Sequence, residues 1–312
     1  MIIKPRNVPL ELQILRLLNN RMSLSANSES HYTNLEKGFI GEQKFDERVA
    51  DRLDLLNGNF LILNDLLFEF NNTLFQIDTI LLSSDSIYLF EIKNYEGDFY
   101  VEGDSWYKLS RTEIKNPLLQ LKRSESLFRR LLQDHGFNFS IEAYLIFVNH
   151  GFQLYQAPLN LPIIFPAQLN RFMNKINKTS STLNDLHQKA AKQLISIHLN
   201  ESPYTRLPEY TFEQLEKGVT CLDCHSFITE FKEKNLICKK CGCRENITTA
   251  VLRSIEEFKT LFPNRKITTN TVHEWCKIIK STKTIRRILS TNFKPMGHGK
   301  YSYYVSAQDT QD

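Results

Sequence analysis

The sequence predicts a mixed α/β domain followed by a cysteine-bearing segment and a small helical unit. Three observations predict it. A helix-like apolar pattern, three strand-like runs, a second helix and a further strand follow one another before residue 200. All six cysteines fall between Cys221 and Cys276. Residues 246–305 carry eleven Lys/Arg against three Asp/Glu, a balance of +8, whereas the remaining 28 basic and 32 acidic residues give −4. The chain has 312 residues, 41% hydrophobic and 24% charged, with 21 Phe and 12 Tyr, enough for sizeable cores and unlike disordered, collagen-like or coiled-coil chains. No apolar stretch approaches the roughly 20 residues a membrane-spanning helix needs. Glu11 and Arg16 interrupt the apolar pattern of Met1 to Leu18, so no secretory signal is expected. A soluble cytoplasmic protein without a membrane partner is the expectation.

Pro9 to Met22 has apolar residues at 10, 14, 15, 17 and 18, a helical spacing, and polar Ser23 to Ser30 reads as a loop. Together, residues 1–30 form a lead-in to the domain at 31–200. His31 to Leu56 is helix-like and stops at Asn57-Gly58-Asn59. Strands follow at Phe60 to Phe70, Thr73 to Leu82 and Ile87 to Lys93, separated by Asn71-Asn72 and Ser83 to Ser86. Gly97 and Gly103-Asp104 punctuate a hairpin of Phe99 to Val101 and Trp106 to Leu109. Asn116-Pro117 opens a helix through Leu132. Strands at Ile141 to Asn149 and Leu161 to Phe165 and helices at Ala167 to Ile176 and Leu183 to Leu199 complete the domain. Residues 201–217, with Pro203, Pro208 and few apolar side chains, read as a linker.

The chemistry concentrates in Phe75-Gln76-Ile77-Asp78-Thr79-Ile80 and Leu89-Phe90-Glu91-Ile92-Lys93. Glu91 and Lys93 share a strand face, and Asp78 lies near Glu91 if the two strands pair. Two carboxylates and an ammonium suit a hard divalent cation and a phosphodiester. Solvent-facing carboxylates and a surface Glu91–Lys93 pair fit the same spacing, but the apolar flanks of both acids favour burial, and buried acids are rare without a partner or a metal.

With Gly38-x-x-Gly41-Glu42 on the first helix, Ile77-Asp78, Glu91-Ile92-Lys93 and Asn116-Pro117-Leu118-Leu119-Gln120, residues 34–150 resemble the nuclease-related domain family. That family is a branch of the PD-(D/E)XK nuclease superfamily. The resemblance implies a restriction-endonuclease-like mixed sheet core flanked by helices. It implies that Glu42, Asp78 and Glu91 gather round Mg²⁺ or Mn²⁺, with Lys93 beside the attacking water. It offers Gln120 as a substrate-orienting residue, although position 124 is Ser where related nucleases have Tyr. An exposed helix carboxylate is the other reading of Glu42, and two nearby glycines, unusual in a solvent helix, argue against it. Gln120 could face solvent, and Asn116 reads as a helix cap.

Cys221-x2-Cys224 and Cys238-x2-Cys241, thirteen residues apart, have the spacing of a structural Zn²⁺ ribbon over residues 218–245. Cys243 and His225 are substitute ligands, redox dithiols are the other reading of the pairs, and Cys276 reads as core. Residues 246–306 follow as helices at Asn246 to Phe262, from Thr268 or Thr269 to Ile279, and at Lys283 to Leu289 after Ser281-Thr282. A hairpin tip leads from there to a strand, Ser302 to Val305. The pattern resembles a winged helix-turn-helix, with Lys283, Arg286, Arg287, Lys294 and Lys300 facing nucleic acid; a protein-binding bundle fits the pattern too. These readings converge on a metal-dependent deoxyribonuclease with DNA-binding C-terminal modules. RNA is the other polyanion to test, and cleavage of both strands would favour a homodimer. The alternative is a non-catalytic nucleic-acid-binding or regulatory protein that retains the fold.

Overall fold

The computed structural model describes residues 1–53, 59–179 and 182–306. Contacts divide the chain into two compact units, Met1–Pro9 with Thr33–Thr205, and Leu10–Tyr32 with Arg206–Asp312.

The chain opens with strand β1 (Ile2–Lys4), which the sequence pattern does not show, and then helix α1 (Leu10–Arg21). Helix α2 (Ala26–Arg52) begins within the stretch expected to be a loop. Its polar Ser/Asn run acts as a helix start: Ser25 accepts the Glu29 N–H through its carbonyl and the Ser28 N–H through its hydroxyl. The boundary between the two units passes through α2. The Asn57-Gly58 stop lies outside the described residues; the helix ends at Arg52.

Strands β2 (Leu61–Phe70), β3 (Thr73–Leu82) and β4 (Ile87–Lys93) form an antiparallel meander. Asn71 and Asn72, with φ of +48° and +57°, make its first turn. The second hairpin is β5 (Gly97–Glu102) and β6 (Ser105–Lys108), extended by β7 (Glu113–Ile114). Helix α3 (Pro117–Asp134) starts at Asn116, whose side chain accepts the Leu118 N–H. Then come β8 (Ile141–Phe147), β9 (Phe152–Tyr155), β10 (Ile163–Ile164), α4 (Pro166–Thr179) and α5 (Asp185–Ile197).

The six-stranded sheet has the order β1-β2-β3-β4-β8-β10, with β1 parallel to β2 and β8 parallel to β4 and β10. One face buries Leu63, Phe68, Ile80 and Leu89 against Phe128 and Leu131 of α3 and Ala190 and Leu194 of α5. The other buries Ile62, Leu81, Phe90 and Ile92 against Phe45 and Val49 of α2 and Leu169 and Met173 of α4. The covering of both faces explains why β4 reads as a continuous apolar run. The four-stranded sheet β7-β6-β5-β9 packs Phe99, Trp106 and Phe152 with Leu118 of α3 and Phe147 of β8.

Strict alternation fails at one place in two neighbouring strands. The side chains facing α3 and α5 are Leu61 and Leu63, then Leu66 and Phe68, in β2, and Ile77, then Ile80 and Leu82, in β3. Asp65, left-handed at φ +54°, lies at the switch, and Asp78 occupies the corresponding point of β3.

In the second unit, the segment expected as a linker buries Phe212 and Leu215. They share one core with Ile14 and Leu18 of α1, with Cys221, Ile228, Leu236 and Cys238, and with the helices that follow. Strands β11 (Glu230–Lys232), β12 (Asn235–Ile237) and β13 (Arg244–Asn246) make an antiparallel sheet. Helix α6 (Ile247–Leu261) is capped by Asn246. Helix α7 (Thr269–Cys276), capped by Thr268, stops short of the expected Ile279 because Lys277 turns left-handed at φ +49° and its N–H returns to the His273 carbonyl. Helix α8 (Thr282–Asn292), capped by Ser281, runs three residues past the expected Leu289. The hairpin β14 (Lys294–Met296) and β15 (Tyr303–Val305) closes the unit, Tyr304 also bridging to Ile267.

Candidate active site and metal centres

The β3–β4 ladder runs from Leu82↔Ile87 to Thr79↔Phe90, and the next positions in that register are Asp78 and Glu91. Here the backbone ladder gives way to a side chain, for Asp78 Oδ2 accepts the Ile92 N–H at 2.7 Å. Asp78 and Glu91 are 8% and 3% exposed, against a solvent-facing reading of either acid. Lys93 Nζ donates to Glu91 Oε1 at 2.7 Å and to Gln120 Oε1 at 3.2 Å, so α3 delivers Gln120 to the lysine. Ser124, one turn on from Gln120, is buried.

Glu42 reaches the site from α2 through a residue the sequence reading does not single out. Arg6, beyond the end of β1, donates from Nη1 to Glu42 Oε2 at 2.6 Å. Its Nε and Nη2 donate to the two oxygens of Asp46 at 2.8 and 3.2 Å. Nη2 also donates to the Asp78 carbonyl and to Thr79 Oγ1, each at 2.9 Å. A lone arginine in a polar N-terminal stretch carries no spacing signal that could have found it.

The glycines of α2 have different reasons. A Cβ on Gly41 would stand 2.5 Å from Asn94 Cβ, just past the end of β4, whereas one on Gly38 would meet nothing within 4 Å. Asn94 also donates to the Lys37 carbonyl at 2.8 Å, tying the strand end to the helix turn that carries Glu42. Gly41→Ala must push these elements apart. A loss of about 1–3 kcal/mol in urea unfolding is expected, in line with overpacked sites, and Gly38→Ala should be neutral or stabilising.

The charges crowd one poorly solvated place. Burial pushes Glu42 up to about 8, with Asp78 adding to the rise and Arg6 opposing it. Burial and then Asp78 raise Glu91 to about 7 against Lys93. Asp78 is raised by burial, opposed by Lys93, the Ile92 N–H and Arg6. Burial works against the Lys93 ammonium, yet Glu91 and Asp78 outweigh it and its pKa rises. Each of the three carboxylates spends one oxygen on a protein donor: Glu42 on Arg6, Asp78 on Ile92, Glu91 on Lys93. The second oxygen of each has no hydrogen bond among the described residues. Hard oxygen donors left over in a buried acidic cluster suit Mg²⁺ or Mn²⁺. The three do not close into a cage: among the described residues, only a cysteine cluster brings three or more candidate ligand atoms within 4.8 Å of one another.

That cluster is Cys221, Cys224, Cys238 and Cys241. The Cys221–Cys241 and Cys224–Cys238 sulfurs are 3.5 Å apart, close to the roughly 3.8 Å edge of a tetrahedron with Zn–S bonds of about 2.3 Å. All six cysteines are free thiols, so the pairs form no disulfides. The donor set fits a structural Zn²⁺, with no open position for catalysis. Ser226 and the Cys241 and Lys240 amides draw the Cys238 thiol down to about 6.

The two pairs have the same backbone. Cys221 N–H donates to the Ser226 carbonyl and Cys221 O accepts from His225; Cys238 N–H donates to the Cys243 carbonyl and Cys238 O accepts from Gly242. His225 and Gly242 are both left-handed, at φ +56° and +78°. His225 and Cys243 are therefore turn residues and neither joins the cluster, while Cys276 is buried in the core. Arg253 of α6 bridges the two ends of the cysteine-bearing segment, donating to the Thr220 carbonyl at 2.7 Å and to both Glu245 oxygens at 3.2 and 2.7 Å. It also reaches Glu257 at 2.9 Å, which in turn pairs with buried Arg21 at 2.6 Å.

Lys283, Arg286 and Arg287 of α8 and Lys294 of β14 are exposed. None of them makes an ion pair among the described residues. The Lys300 side chain lies outside the described residues.

The first unit is a mixed α/β domain with a buried acidic centre. The family model that matches is the nuclease-related domain, over residues 37–148. Glu42, Asp78, Glu91, Lys93 and Gln120 all lie within that stretch. Comparison with curated proteins and with solved structures gave no match. Among the described residues, no helix is long and apolar enough to cross a membrane.

Proposed function

We propose that the chain is a divalent-metal-dependent nuclease that hydrolyses DNA, with a zinc ribbon and a winged-helix-like C-terminal unit that bind the substrate. The observation that carries this reading is the placing of Asp78 and Glu91 opposite one another at the end of a ladder, with Lys93 between Glu91 and Gln120. Asp78 and Glu91 would hold Mg²⁺ or Mn²⁺, with Glu42 alongside. Bound there, the ion supplies water activation and neutralises charge developing on the phosphodiester. Lys93 is placed to orient the attacking water or to meet that charge, and Gln120 fixes the ammonium from the other side. The covered sheet faces keep the acids in a medium of low polarity, where such interactions strengthen.

Incubating the full chain with single- and double-stranded DNA and with RNA, in Mg²⁺, Mn²⁺ or EDTA, tests the reading. Metal-dependent cleavage of DNA is expected, and no cleavage of any substrate would leave the non-catalytic alternative. For the C-terminal unit, exposed Lys283, Arg286 and Arg287 lie within five positions of one helix. Their triple alanine substitution should weaken DNA binding and flatten its log-log salt slope by roughly 0.9 per lost phosphate contact. Fluorescence anisotropy across a salt series reads this directly, and an unchanged slope would assign the unit to another partner.

A further inference from the structure

We propose that Arg6 is a positioning residue that sets the cation affinity of the acidic centre, an inference that rests on the nuclease reading above. Arg6 lies outside the 37–148 stretch that matches the family model. Its side chain is only 3% exposed, and its guanidinium joins three parts of the site. Two nitrogens grip Asp46 on α2, one holds Glu42 a turn earlier, and one also meets the Asp78 carbonyl and Thr79 Oγ1 on β3. A planar fork can satisfy that set at once; a lysine, a point charge on a flexible stem, cannot. The contact with Glu42 takes Oε2 alone and leaves Oε1 without a hydrogen bond among the described residues. Arg6 thus fixes the carboxylate's orientation while sparing an oxygen.

The N-terminal segment is fastened in a way that delivers this side chain. Strand β1 pairs with β2 through Ile2↔Ile62 and Lys4↔Leu63. Lys4 Nζ caps the Asn64 and Asp65 carbonyls at 2.7 Å each, at the point where β2 switches faces. Arg6 follows two residues later.

The test uses the full chain carrying Arg6→Lys, Arg6→Gln or Asp46→Asn, with Mn²⁺ as the probe. Groups that orient metal ligands typically contribute about 10–100-fold in affinity or activity. Isothermal titration should therefore show the Mn²⁺ Kd of both Arg6 variants raised about 10–100-fold, with a smaller rise for Asp46→Asn. The half-activating Mn²⁺ concentration for cleavage should move by the same factor, and the rate at saturating Mn²⁺ much less. A purely structural role would lower the melting temperature and leave the Kd of the folded variant alone. Wild-type Kd in folded Arg6→Lys and Arg6→Gln overturns the proposal. Tighter binding does so too, since it would make Arg6 a competitor of the ion. Where the Arg6 variants do not fold, an unchanged Kd in Asp46→Asn overturns it. A wild-type chain that binds no Mn²⁺ sinks it as well. Arg6-dependent Mn²⁺ binding without any cleavage would instead refute the nuclease reading and leave the positioning role standing.

Discussion

Asp78→Asn and Glu91→Gln are each expected to cut metal-dependent cleavage by about three orders of magnitude while leaving the fold in place. A bound cation contributes several kcal/mol of transition-state stabilisation, and each 1.36 kcal/mol is a factor of ten. The amides are the informative variants because of what the acids do in the sheet. Asp78 Oδ2 replaces a ladder acceptor for the Ile92 N–H, and an asparagine oxygen can accept that bond equally. Glu91 Oε1 accepts from Lys93, and a glutamine oxygen can do the same. The substitutions therefore remove charge from a buried cluster while keeping an acceptor for the Ile92 N–H and for the Lys93 ammonium. Melting temperatures close to wild type, or above it, should accompany the loss of activity. Cleavage within tenfold of wild type in both variants would displace the site from these residues.

The second large effect concerns zinc. Stripping the metal with a chelator, or Cys238→Ser, should abolish the cooperative melting of the whole second unit rather than loosen the ribbon alone. Cys221 and Cys238, at 0% and 1% exposed, lie in the same core as Phe212, Phe258 and Trp275. Arg253 and Glu257 tie the ribbon strands to α6 and on to Arg21 of α1. Structural zinc sites contribute about 10–16 kcal/mol to small folds, and whole domains are stable by about 5–15 kcal/mol. Calorimetry of chelated and zinc-loaded protein, with elemental analysis giving about one zinc per chain, checks this. A second-unit transition unchanged by zinc removal would contradict the shared core.

Much of the first unit was legible because its strands carry strong local signals. Thr73 to Leu82 and Ile87 to Lys93 emerge with the boundaries that their apolar runs and turns imply. Asn116, Asn246, Thr268 and Ser281 cap the helices where short polar side chains precede apolar periodicity. What stayed hidden depends on distant partners. Strand β1 has three residues and no alternation to detect, and its ladder is made with residues some sixty positions away. Arg6 is invisible for the same reason. Strands β11 to β13, three residues each, are too short to carry a periodic pattern. The face switch at Asp65 and Asp78 defeats alternation because left-handed Asp65 breaks the pleat. Phe212 and Leu215 were lost among prolines and charges, where two buried side chains do not make a periodic pattern.

The interleaving of the two units has a consequence for synthesis on the ribosome. Leu10–Tyr32 belongs with Arg206–Asp312, so Ile14 and Leu18 emerge early while the core that covers them is still about two hundred residues from translation. At roughly 5–20 residues per second, that interval lasts on the order of ten seconds or more. The first unit has all its strands by then, while the apolar side of α1 still lacks its partners. On this order of emergence the sheet is expected to assemble first and the core that holds the cysteine cluster last. A chain ended by a stop codon near residue 205 would keep that helix without its partners, and a chaperone-binding, aggregation-prone product is the physical expectation.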